Sequence, residues 1–178
     1  MTKGAVATSQ KPEKNDPEFW ADLHTFIGPD APVLIDMWRE TPKGKLPSIK
    51  YFSFPALLFG PFWFLYRKLY LWAVILIGLI GAELALLATA LFPTIGRLVL
   101  IVTGIGIGVV ANKIYVNWAV QRVKAIRATV PDLHQRQVQL KKKGGVSAKG
   151  IFLGIAAAIV LLLGTVFVIL VVSPVRWN

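Results

Sequence analysis

The sequence predicts an all-α integral membrane protein: three transmembrane helices, an aromatic interfacial or re-entrant segment, and amphipathic helices on the cytoplasmic side. Three observations carry this. Of 178 residues, 55 % are hydrophobic and 16 % charged, whereas soluble domains carry about 25 % charge to coat their surface. Three apolar stretches approach the length of about 20 residues that a bilayer crossing needs. The charge is also lopsided, with 20 Lys and Arg against 9 Asp and Glu.

The basic amino-terminal region, residues 1–50, holds one clear helix signal. Asp16-Pro17-Glu18 offers an N-cap, a proline at the first helical position and an acid in the first turn. Phe19, Trp20, Leu23, Phe26 and Ile27 then share one face, which predicts an amphipathic helix over residues 16–27 stopped by Gly28-Pro29. Residues 1–15 lack the apolar core of a secretory signal and read as disordered.

Residues 51–68 are aromatic and broken. The run YFSFPALLFGPFWFLY carries Pro55, Gly60 and Pro61 inside it and basic residues on both flanks, Lys50 before and Arg67-Lys68 after. Half of the chain's aromatic residues fall between Tyr51 and Trp72. Such rings favour the headgroup boundary. The segment is therefore expected to be interfacial or re-entrant, returning to the side it came from.

The spans follow. The first is expected over residues 69–92 and the second over 95–111, joined by a short turn at Pro93-Thr94. The second continues as a cytoplasmic helix to about residue 129, with Tyr115, Trp118, Ala119, Val123 and Ile126 on one face. A basic linker occupies 130–148, where Gly144-Gly145 turns the chain and Ser147 is placed to cap the third span, 149–172. Residues 173–178 form the tail. With three spans and a cytoplasmic amino terminus, 18 of the 20 basic residues fall inside, as the positive-inside rule asks. Counting 51–66 as a full crossing destroys that bias. The expected place is a bacterial inner membrane, carboxy terminus periplasmic.

The stretch Phe59–Tyr70, FGPFWFLYRKLY, resembles the FGPFWFLYRKMY-type signature of an uncharacterised bacterial inner-membrane family, a domain of unknown function. Phe26-Ile27-Gly28-Pro29-Asp30-Ala31 with Trp38-Arg39, and the turn Gly144-Gly145-Val146-Ser147, resemble that family's lead-in and its GG-T-S turn. The resemblance covers about Phe26 to Gly150. Ser53-Phe54-Pro55 stands where the family often has Phe-Asn-Trp, and Leu69 replaces a methionine. It implies a small polytopic inner-membrane protein and no particular chemistry.

Candidate functional residues are few. Glu83 is the ionisable residue deep in an apolar span, and reflection through the turn sets it opposite Thr103-Gly104. A carboxylate there is costly unless it faces protein or water or holds a proton. Small residues suited to close helix packing are Gly78 and Ala82 in the first span, Gly104 and Gly108 in the second, and Gly150 and Gly154 in the third. Gly104, Gly106 and Gly108 lack the third glycine and the preceding strand of a dinucleotide fingerprint. Trp63, Tyr66, Arg67, Lys68, Lys141, Lys142, Lys143 and Lys149 are candidates for contact with anionic lipid headgroups.

With no cysteine, and with two histidines outside the spans, thiolate metal sites and intramembrane haem ligation are excluded. No catalytic constellation, metal site or cofactor is expected, and no module presents the basic charge to nucleic acid. The expected partners are membrane lipids and other membrane subunits, or further copies of the chain. The leading expectation is a non-enzymatic accessory or scaffolding subunit of a membrane complex. The alternatives are a small transporter or proton-conducting oligomer using Glu83, and a lipid-organising protein.

Overall fold

In the computed structural model the described residues are 16–42, 44–88, 93–147, 149, 150, 152, 154–156, 159 and 163. Among them every regular element is helical. The expected disordered leader 1–15, the tail 173–178 and most of the third span lie outside the described residues, as does the link 89–92.

Helix α1, Pro17–Ile27, starts where the Asp16 carboxylate accepts the Phe19 N–H at 2.8 Å. It stops at Gly28, whose φ of +85° takes the chain out of helical geometry. Helix α2, Ala31–Glu40, follows after two residues and was not anticipated. Leu34, Ile35 and Met37 are buried and give it an inner face, so the signal was present in a short segment with a proline at its second position.

The aromatic segment is a helix–break–helix. After a 3₁₀ turn over Ile49–Tyr51, α3 runs Phe54–Phe59 and α4 runs Pro61–Tyr66. Gly60 separates them at φ +46°, a conformation that disfavours any side chain. Ser53 caps α3, and prolines open both helices. Helix α3 lies on α6 and α4 on α5.

Helix α5 spans Tyr70–Ala88 and α6 spans Pro93–Thr129, 37 residues without interruption. Pro93 therefore begins α6 and does not sit in a turn, because a proline at the first helical position has no N–H to lose. Among the described residues α6 is the one helix long and apolar enough to cross a membrane. The expected linker also contains a helix. Asp132 accepts the Gln135 N–H at 2.8 Å and opens α7, Leu133–Lys143. Only Leu140 supplies α7 with a buried apolar anchor, so a periodicity count passes it over.

The buried core divides α6 in two. Phe19, Leu23, Phe26 and Ile27 of α1 and Leu34 and Met37 of α2 meet Val116, Ala119, Val123 and Ile126. This end of the molecule packs as a soluble domain does, with α7 closing over α1. Towards the other end, Leu98, Val99, Ile101, Val102 and Ile105 of α6 are exposed, as are Leu71, Val74, Ile75, Leu79 and Leu84 of α5.

Candidate functional site

The register of the aromatic segment follows from its bonds to α6. Lys113 donates to the Lys45 carbonyl, Asn112 to the Tyr51 carbonyl at 3.0 Å, and the Ser53 N–H to the Gly108 carbonyl at 2.8 Å. Deeper, Leu57 rests on Gly104. The chain then reverses at Gly60, and Trp63 and Arg67 come back beside Tyr115. Both ends of the segment thus lie against the same stretch of α6, and its tip reaches the Gly104 level.

The small residues receive this segment. At Gly108 a side chain would overlap the Phe52 ring, and at Gly150 it would overlap the Leu65 carbonyl. Gly154 lies on Phe62 and Leu65. Gly104, Gly108, Gly150 and Gly154 therefore hold the aromatic segment between α6 and the start of the last helix. Gly78 and Ala82 do not join them. They point outward on α5, and nothing within 4 Å would meet a Cβ at Gly78. Helix α5 turns its other face, with Ala73, Leu76 and Glu83, inward.

Glu83 and Thr103 are brought together. The Thr103 hydroxyl donates to Glu83 Oε1 at 2.7 Å, and Glu83 is 6 % exposed. Glu83 Oε2 has no hydrogen-bond partner among the described residues. Thr103 stands ten residues from Lys113 and six from Arg97, about 15 and 9 Å along the helix. The pair is thus placed midway along the apolar stretch, next to the tip of α3.

Trp63, Arg67 and Lys68, expected at the headgroups, make side-chain contacts within the protein. Trp63 is buried, edge-on to Phe64 and to Tyr115. Tyr66 is half-buried, and its carbonyl accepts the Ser147 N–H at 2.9 Å. Arg67, 7 % exposed, has its guanidinium 4.7 Å from the Tyr115 ring centre and pairs with Asp30 at the start of α2. Lys68 holds a φ of +61° and aims its ammonium at the Lys142, Lys143 and Gly144 carbonyls, where α7 ends. A cation there complements the helix dipole. Burial pushes the Lys68 ammonium below its ordinary pKa. Lys141, Lys142, Lys143 and Lys149 are the exposed members of the expected basic set.

A second charged cluster ties the polar helices together and was not foreseen. Asp22 of α1 lies 3.1 Å from Arg136 Nε of α7 and 3.8 Å from Arg127 Nε of α6. Glu18 lies 3.3 Å from Arg136, and Asp16 lies 3.0 Å from Arg127. Burial raises the Asp22 carboxyl above its ordinary pKa, with Arg136 and Arg127 opposing. Contacts across more than a hundred residues leave no spacing signature. No group of three or more potential metal ligands occurs among the described residues.

One family matches. Residues 44–122 fit the family described as "Protein of unknown function (DUF2628)". The match runs from Gly44, ahead of the 3₁₀ turn, through α3, α4 and α5 to Arg122 of α6, so it covers the aromatic segment and the apolar helices. Helices α1, α2 and α7 lie outside it. The resemblance over Phe26–Gly150 pointed to a family of unknown function, and the DUF2628 match is of that kind. No curated protein and no solved structure matches the chain.

Proposed function

We propose that this chain is a non-enzymatic, polytopic membrane protein acting as an accessory or scaffolding subunit of a larger membrane assembly. The observation that carries the reading is the exposed apolar collar on α3, α5 and the first half of α6, adjoining an end with an ordinary buried core. Contiguous apolar surface of this extent on a folded chain marks contact with lipid or protein.

The contacts also support a topology. Helix α1 packs on the end of α6 and on α7, while Arg67 pairs with Asp30 and Lys68 caps α7. Residues 17–42, 44–51, 67–68 and 113–147 thus share one side, and an even number of crossings separates them. Helix α5 and the first half of α6 supply two crossings, so α3–α4 dips and returns. The third crossing is the helix that Ser147 opens, whose hydroxyl accepts the Gly150 N–H at 3.1 Å. The basic side is cytoplasmic by the positive-inside rule, in a bacterial inner membrane. Lys141–Lys143 and Lys149 face anionic headgroups there, each worth about 1 kcal/mol. The outward Gly78–Ala82 face of α5 is available to a neighbouring subunit.

The decisive experiment is purification in mild detergent with identification of what co-migrates. A chain that runs alone, with no stoichiometric membrane partner and no self-association, contradicts the subunit reading. A second reading, proton or cation conduction, draws on the unpartnered Glu83 Oε2. Flux in proteoliposomes that Glu83→Gln abolishes, with assembly intact, selects it.

A further inference from the structure

We propose that this protein is a one-leaflet wedge that favours curved bilayers, with α1, α2 and α7 on the convex face. The inference rests on the membrane-spanning reading above and adds to it a shape.

Between the Lys113 and Gly104 levels of α6, helices α3 and α4 stand beside α5 and α6, with Gly150 and Gly154 of the last helix behind α4. Past Gly104 the aromatic segment has turned back, and of these four helices α5 and α6 continue. Gly104 lies nine residues from Lys113. That is about 13 Å, close to half of a hydrocarbon core about 30 Å thick. Each helix with its side chains is about 10 Å across. Among the described residues two helix sections are thus added to one leaflet and none to the other.

The occupant of the outer surface of this wedge is the acyl-chain layer of that leaflet. Residues 51–66 contain no charged side chain, while Lys45, Lys50, Arg67 and Lys68 bracket them at the polar level. Phe54 at the start of α3 and Leu58 and Phe59 at its tip are 66 %, 74 % and 60 % exposed. The inner surface is fixed by the Ser53–Gly108 bond and by Phe52 and Leu65 seated on glycines, so the wedge cannot flatten without unpacking. A bilayer that splays the leaflet around α3–α4 accommodates it best, and that leaflet is the convex one.

The test uses the full chain carrying Lys141→Cys, the chain being otherwise free of cysteine, in phosphatidylcholine–phosphatidylglycerol vesicles of graded diameter. A membrane-impermeant thiol reagent reads the fraction with α7 outside. The same measurement on Leu58→Ala/Phe59→Ala, which trims two exposed side chains, controls for the larger outer-leaflet area. The expected result is an outside-to-inside ratio that climbs several-fold as diameter falls and climbs less in the trimmed chain. Ratios that coincide at every diameter overturn the wedge. So does efficient cross-linking of Phe59→Cys between chains, which makes a second copy the occupant. Cysteines at Leu46 and Lys141 reacting from opposite faces would instead overturn the spanning reading itself.

Discussion

The two halves of α6 obey opposite rules on one unbroken backbone. From Ala111 to Ile126 the side chains of Ala111, Tyr115, Val116, Ala119, Val120, Val123 and Ile126 are buried, while Asn117, Gln121 and Arg122 face outward. From Leu98 to Ile105 the exposed positions are Leu98, Val99, Ile101, Val102 and Ile105, and the polar Thr103 is half-buried against Glu83. The same contrast separates α1, whose acids engage arginines, from α5, whose single acid turns inward. Burial in water follows hydrophobicity, whereas in lipid apolar surface is no reason to bury. The difference teaches that one helix carries two kinds of surface, and the membrane-spanning reading proposed above takes the change near Lys113 as its passage from water to lipid.

The contrast breaks most sharply under alanine. Phe26→Ala in the polar half, where Phe26 is fully buried and packs on Trp118, is expected to cost about 3–5 kcal/mol. Leu71→Ala on the collar should leave thermal unfolding in detergent nearly unchanged. Similar losses at both positions would mean that α5 is covered by protein.

Arg136→Ala comes next, expected to cost about 3 kcal/mol or more by leaving Asp22 buried beside Arg127 alone. The pH dependence has a defined sign. Asp22 has a raised pKa in the folded protein, so the folded state holds this proton more tightly than the unfolded one. Its contribution is fully present below the unfolded pKa and is lost as pH rises through the raised folded value. Asp22→Asn should remove that slope from unfolding curves measured against pH.

Some of this was legible in the residues and some was not. The Asp16-Pro17-Glu18 start declared α1, and the broken FPALLFGPFW run declared a segment that reverses, because proline and glycine act locally. The Glu83–Thr103 contact was legible too, since a hairpin reflects register about its turn. The pairs Asp30–Arg67 and Asp22–Arg136 were not, because ion pairs across 37 and 114 residues are set by packing alone. The internal partners of Trp63, Arg67 and Lys68 were illegible for a related reason. An aromatic–basic cluster reads alike whether it lines a headgroup layer or a protein joint.

Lys68→Ala sharpens the comparison at the boundary itself. It is expected to lose the cap on α7 while keeping the unfavourable φ, at a cost of about 1–2 kcal/mol. The smallest effect belongs to Glu83. Glu83→Gln should be close to neutral for stability in detergent, while Glu83→Ala should cost about 0.6–2 kcal/mol. Equal damage from both would show that the bond to Thr103 is not what Glu83 supplies.

The central claim, that α5 and α6 cross while α3–α4 dips and returns, is tested most directly by sidedness labelling of single cysteines. Leu46, Arg97 and Lys141 are exposed and suit it. In sealed vesicles, Leu46→Cys and Lys141→Cys should react from the same side and Arg97→Cys from the opposite one. Leu46 and Lys141 on opposite sides, or Arg97 on theirs, would contradict the account.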